Sequence, residues 1–331
     1  MRSLAAVLLL ALVAASQGVA STAQIVSQVS QDSYYHFLND RLYTASGDSR
    51  ALGGPQHDLA KANIYSDFLG MGLDTHYADF SYNSQTYQNV VATLPGRVRS
   101  NDVYIVGAHY DSTSGGGAAP GADDNASGVA GMLEAARVLS GYAFESTVAF
   151  IAFDREEQGL RGSWAYANAH AGDRILGMIS LDMIGYNSTT NSNTAWVVSQ
   201  SSSFRQELMA AVTAYGKTPG GPALTPVDMG TNYDSQSDHY PFERNQFLGA
   251  LLIEHGPMNP YYHTSSDVAS YIDYTYAANM TRAAVGFLAD NAEEVPEPAA
   301  ASLVAMAAVF FLMARRRSVF RPASVSGRAP C

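Results

Sequence analysis

The chain has 331 residues, with 19 lysines and arginines, 30 aspartates and glutamates and one cysteine. Six basic residues (Arg2, Arg315, Arg316, Arg317, Arg321, Arg328) lie in terminal stretches without acids, so the middle carries 13 basic against 30 acidic residues, a formal −17. That excess argues against nucleic acid as a partner and suits bound cations, while the lone Cys331, in the tail, excludes an intramolecular disulfide.

In chain order, Met1-Arg2 is a short basic start, residues 4–15 form an apolar run, and Gly18 and Ala20 supply cleavage-site chemistry. Residues 1–20 therefore read as a signal peptide cut before Ser21, and the protein is expected to be exported. A cut after Ala23 is the alternative. Residues 24–70 read as helical, with Ile25, Val29, Phe37, Leu38 and Leu42 at three- and four-residue spacings. A short strand is predicted at 89–94, ended by Pro95-Gly96. Further strands are predicted at 103–108, 147–153, 175–182, 195–199 and 248–254, and helices at 127–139, 163–170, 204–215 and 271–291. This alternation predicts one α/β domain over 21–292, a three-layer sandwich around a mixed, largely parallel central sheet. Ligands of such sheets gather at the carboxyl ends of the strands.

The segment 293–317 reads differently. Val295-Pro296-Glu297-Pro298 leads into sixteen apolar residues, 299–314, and then Arg315-Arg316-Arg317. At ~1.5 Å per residue that run spans about 24 Å, a little short of a full bilayer core, with the arginines on the cytoplasmic side. This order resembles the PEP-CTERM sorting signal of bacterial surface proteins. The resemblance implies removal by an exosortase-type protease, leaving the protein in the cell envelope or outside the cell. The tail 318–331 continues beyond the point where that signal usually stops.

Five motifs end or follow the predicted strands: Gly107-Ala108-His109-Tyr110-Asp111, Gly121-Ala122-Asp123-Asp124-Asn125-Ala126-Ser127-Gly128, Glu156-Glu157-Gln158-Gly159-Leu160-Arg161-Gly162-Ser163, Leu181-Asp182-Met183 and Tyr262-His263-Thr264-Ser265-Ser266-Asp267. Taken singly each has a plainer explanation. A histidine after a strand can simply pack, paired glutamates can be surface charge, and an aspartate before Asn-Ala-Ser-Gly can cap a helix. Together they form a nitrogen-and-oxygen ligand set that suits zinc and exceeds the needs of one ion. A carboxylate can bridge two ions ~3.5–4 Å apart, which then clamp a hydrolytic transition state.

In this order the motifs, with the lead-in strand Asn89-Val90-Val91-Ala92-Thr93-Leu94-Pro95-Gly96, resemble the family-28 zinc metallopeptidases over residues 30–290. That family includes secreted bacterial aminopeptidases acting on peptides. The resemblance implies two zinc ions per chain: one held by His109 and Asp182, the other by Glu157 and His263, with Asp124 bridging and Asp123 a neighbour or turn residue. It implies Glu156 as general base, which agrees with the chemistry of a carboxylate beside an acidified water. Asp111 is expected to orient His109. Tyr262 is the favoured donor to the tetrahedral oxyanion, with Tyr233 from an earlier loop as the alternative.

Some members of that family staple the loop before Ser-Asp-His with a disulfide; residues 232–236 here contain no cysteine. Asp238 and His239 are expected to cap and pack a helix rather than bind metal, and Arg161 to be structural. His36, His57, His76, His170 and His255 have no motif around them. Three other readings share the scaffold. A carboxypeptidase would need a basic group for the substrate carboxylate, a glutaminyl cyclase usually binds one zinc, and a metal-free matrix protein would not need the complete ligand set.

Overall fold

A computed structural model of the protein describes residues 19–43, 49–51 and 53–296. The predicted signal peptide and the apolar run with its arginines lie outside these residues, and among the described helices none is long and apolar enough to cross a membrane.

The predicted helical region 24–70 comprises three helices, α1 (Thr22–Val26), α2 (Gln31–His36) and α3 (Pro55–Gly70), with a π-type turn at Phe37–Leu42. Ser21 caps α1 reciprocally: its hydroxyl accepts from Gln24 N and its N–H donates to Gln24 Oε1 at 2.8 Å. Strands β1 (Asp74–Tyr82) and β2 (Gln85–Leu94) form a hairpin whose turn residues Asn83 and Ser84 both take positive φ. That left-handed pair matches the twist of the flanking strands.

The remaining elements follow as β3 (Arg99–His109), α4 (Gly128–Leu139), β4 (Ala143–Phe144), β5 (Ser146–Phe153), α5 (Arg161–Ala169), β6 (Arg174–Asp182), β7 (Thr194–Val198), α6 (Ser202–Tyr215), β8 (Thr225–Asp228), α7 (His239–Arg244), β9 (Gly249–Glu254), α8 (Tyr274–Ala292) and β10 (Glu294–Val295). Eight strands form one sheet in the order β1-β2-β5-β3-β6-β9-β7-β8. Its centre, β5-β3-β6-β9, is parallel throughout; β1, β2 and β7 join antiparallel, and β8 pairs parallel to β7. The sheet is thus mixed and largely parallel, as predicted.

Strands β5 and β9 are buried along their whole length. Continuous apolar runs of this kind belong to strands covered on both faces. Val90, Val106, Phe150 and Ala152 pack into the large core beneath α1–α4, α6 and α8, whereas Val91, Ile105, Ile151 and Phe153 face a smaller core with Ala167 of α5 and Phe242 of α7. The two-residue alternation of the strands therefore builds two helical layers around the sheet. Folded structure continues past residue 292, since β10 pairs with β4.

Candidate metal centre

The site begins with strand register. Gly107 of β3 lies opposite Ser180 of β6 in a parallel pairing. Two residues further on, both strands end, at His109 and Asp182. His109 Nε2 stands 3.6 Å from Asp182 Oδ1 and 3.3 Å from Asp124 Oδ1. The other oxygen of Asp124, Oδ2, lies 3.1 Å from His263 Nε2, which is itself 3.1 Å from Glu157 Oε2. Two ligand triads thus share one carboxylate, each using a different oxygen.

Ligands set tetrahedrally at ~2.0–2.1 Å from a zinc ion stand roughly 3.3–3.4 Å from one another, and separations of 3.1–3.6 Å bracket that value. Glu157 Oε1 is buried without a hydrogen-bond partner, a vacancy that a cation would satisfy. The donor set and its spacing fit zinc.

The surroundings explain how these side chains are aimed. Asp267 receives the N–H groups of Asp123 (3.1 Å) and Asp124 (3.0 Å). Asn125 donates to the Leu181 carbonyl at 2.9 Å and accepts from Gly128 N and Met183 N. The loop with Asp124 is thereby tied to the strand end that presents Asp182. Gly128 is required there, because a Cβ would collide with Asn125 Oδ1 and the Leu181 carbonyl. Asp182 Oδ2 accepts from Ser237 Oγ at 2.6 Å, so its Oδ1 is turned to the cleft.

Asp111 acts on both sides of the site. Its carboxylate accepts from Glu156 N at 3.1 Å and Glu157 N at 3.3 Å, which fixes the glutamate turn. His109 Nδ1 is nearer the Asp111 backbone carbonyl (3.1 Å) than its carboxylate (3.6 Å), so the main chain is the closer partner of the ring.

Three positioning residues have no role legible in the sequence. Arg50 is fully buried and donates to the carbonyls of Tyr110 (3.0 Å), Pro120 (2.6 Å) and Gly121 (2.5 Å), clamping the loops that bear His109 and Asp124. Burial lowers its pKa to about 10, against the raising effect of Asp267, Asp124 and other acids, and it remains a cation at neutral pH. His57 of α3 meets Asp154, two residues before Glu156, at 2.8 Å. Ser237, which holds Asp182, is the third.

Asp238 departs from its expected role. It occupies the N-cap of α7, yet its side chain makes no capping bond and both carboxylate oxygens are buried without partners. Its own backbone is already helical (φ −63°, ψ −13°), whereas a capping side chain reaches the first N–H groups from an extended backbone. His239 is fully buried in α7, with neither ring nitrogen hydrogen-bonded.

Acid dominates the electrostatics. Burial, followed by repulsion from Asp124, raises Glu157 to about 7. Burial also raises Glu156 well above the usual glutamate range, with Asp182, Asp238 and Glu157 adding to the effect against the pull of His109. His263 would be lowered by burial, but Asp124 and Glu157 lift it to about 10. Behind Asp124, Asn259 Nδ2 bridges Asp123 (3.1 Å) and Asp267 (3.2 Å), two buried acids that burial raises to about 6 and about 7.

A cleft of about 170 Å³ opens over this centre. His109, Asp124, Glu156, Asp182 and His263 form one wall, and Met183, Trp196, Leu251, Ile253 and Met258 form much of another. Both tyrosine candidates line it. Tyr262 stacks on His263 with ring centroids 3.7 Å apart, and Tyr233 stacks on Trp196 at 5.3 Å.

A mixed α/β sheet with His–carboxylate triads at its carboxyl ends defines a class of metal-binding α/β proteins. More particularly, residues 89–288 match Peptidase family M28, and the chain belongs to that family. Leucine aminopeptidase 1 of Trichophyton equinum is 34% identical in an alignment 227 residues long that covers 62% of this chain and 58% of that protein. A probable leucine aminopeptidase of Arthroderma otae is 30% identical in an alignment 271 residues long that covers 77% of this chain and 69% of that one. The chain thus spans less than two thirds of the length of the first of these relatives. Among solved structures, the LapA aminopeptidase of Legionella pneumophila superposes with a TM-score of 0.72 at 23% identity, over 83% of this chain and 75% of that one. BSAP, a zinc aminopeptidase from Bacillus subtilis, gives 0.54 at 28% identity over 67% and 53%. A glutaminyl cyclase from Porphyromonas gingivalis gives 0.66 at 21% over 79% and 98%.

Proposed function

We propose that this chain is an exported metallo-aminopeptidase that binds two zinc ions and removes apolar N-terminal residues from peptides. The observation that carries the reading is Asp124, whose two oxygens serve separate His–carboxylate triads within one cleft. His109 and Asp182 would hold one ion, Glu157 and His263 the other, with Asp124 between them. Zinc bound there acidifies water and polarises the scissile carbonyl.

Glu156 takes the proton of the attacking water and returns it to the departing amine. Burial raises its proton affinity, and cations held beside it would bring that affinity down again and leave a carboxylate able to accept and return a proton. Tyr262, in the cleft wall beside His263, donates to the oxyanion of the tetrahedral intermediate. The carboxylates of Glu156 and Asp182 offer partners for the free α-amine. Met183, Leu251, Ile253 and Met258 offer an apolar wall for the first side chain, in keeping with the leucine aminopeptidase names of the relatives.

None of the described residues lining the cleft is Arg or Lys, so a substrate carboxylate would find no cationic partner there. That disfavours a carboxypeptidase. The glutaminyl cyclase likeness, at 21% identity, is one of fold.

Export rests on the N-terminal signal pattern. The reciprocal cap at Ser21 favours cleavage before Ser21, because a cut after Ala23 would remove the cap. The test of the catalytic assignment is Glu156→Gln. The variant should keep its zinc by metal analysis while kcat falls by roughly 10²–10⁴-fold; near-normal turnover with metal intact would remove Glu156 as the base.

A further inference from the structure

A second His–carboxylate cluster lies outside the triads. The 3₁₀ turn Asp234–Gln236 and helix α7 bring one ligand atom each of Asp234, His239 and Glu243 within 4.8 Å of one another. His239 is fully buried, and neither of its ring nitrogens has a hydrogen-bond partner. Asp234 Oδ1, 3.8 Å from His239 Nε2, and Glu243 Oε2 are likewise buried and unpartnered. Their other oxygens are anchored. Gln200 Nε2 donates to Asp234 Oδ2 at 2.7 Å, and Gln200 N (2.8 Å) and Ser199 Oγ (3.2 Å) donate to Glu243 Oε1.

Each carboxylate is therefore oriented by one oxygen and offers the other to the same point as a buried imidazole. Unpartnered buried polar atoms are rare in folded proteins, and several converging ones are satisfied together by a cation. Imidazole with two carboxylates is a ligand set for zinc or a similar divalent transition metal. Ligands held by outer hydrogen bonds of this kind are also what a preformed metal site requires.

We propose that Asp234, His239 and Glu243 form an additional divalent-cation site that pins the segment 233–239 at the rim of the cleft. This segment carries Tyr233 and Gln236 in the cleft wall, and Ser237, which holds Asp182 through a 2.6 Å hydrogen bond. A disulfide cannot do this work, since the only cysteine is Cys331. The site is structural: it touches no reacting atom and fixes the wall against which a substrate would lie.

The test is zinc content after the purified, chelator-stripped protein is dialysed against micromolar zinc, compared between wild type and the near-isosteric variants Glu243→Gln and Asp234→Asn. Each variant should bind one zinc per chain fewer than wild type; equal content would overturn the site. Anomalous diffraction from zinc-soaked wild-type crystals gives a readout independent of the variants. A zinc peak between the three side chains is expected, and its absence at a concentration that fills the Asp124 centre would also overturn the site. Neither result depends on whether the protein proves to be a peptidase.

Discussion

At the scale of residues, the metal centre stores protons where a cation belongs. His263, lifted to about 10, is protonated at neutral pH, and Glu157, lifted to about 7, is partly so. Ligands must be deprotonated to bind metal. Zinc binding at pH 7 should therefore release at least about one proton per chain, read by calorimetry in buffers of different ionisation enthalpy. Affinity should fall steeply with acid, because lower pH fills these same groups. In Asp124→Ala both triads lose a member, so occupancy should drop at both positions. Zinc binding independent of pH from 5 to 8, or full tight occupancy in that variant, would show that the ligands have been misassigned.

Residues also mark the limit of what sequence patterns disclose. His109, Asp124, Glu156, Glu157, Asp182 and His263 were legible because each sits in a local motif that ends a strand or lies in the loop after one. Arg50, His57 and Ser237 were not. Each is a single polar residue whose partner lies far along the chain, 60 to 71 residues away for Arg50 and 97 for His57, and such pairings leave no periodic signal.

At the scale of elements, continuous apolar runs betrayed β3, β5, β6 and β9, which helices cover on both faces. The edge strands β1 and β8 went unread, because most of their side chains are exposed or half-buried and neither contains a continuous apolar run. Edge strands keep polar residues to discourage further pairing.

Helix α3 reaches the site through His57. The ring would be lowered by burial, but the hydrogen bond to Asp154 and its charge raise it above 6.5. The sign follows from linkage. The added stability is whole below the ordinary value near 6.5 and is lost as pH rises through the raised folded value. His57→Leu leaves Asp154 buried without its ionic partner, a change worth about 3–5 kcal/mol. The melting temperature should fall on the order of 10 °C. A shift of less than about 2 °C, outside the scale of that loss, would show that the pair is not a strut.

At the scale of the whole molecule, acid and address lie in different parts. The formal −17 sits between two terminal segments that carry basic residues and no acid, and three of those acids, Asp124, Glu156 and Asp182, line the cleft at the carboxyl ends of the central strands. Mass spectrometry of protein from its native host should find Ser21 at the amino terminus and no peptide beyond the region of Ala299. Abundant mature protein ending at Cys331 would refute the processing scheme.

Whether the molecule is an aminopeptidase is tested most directly by one pair of substrates. The purified, zinc-loaded protein is given a leucine-initiated peptide with a free amine and the same peptide N-acetylated, and products are identified by mass. Release of free leucine from the first, with the second left intact, is the predicted result. Efficient cleavage of the acetylated peptide would contradict it.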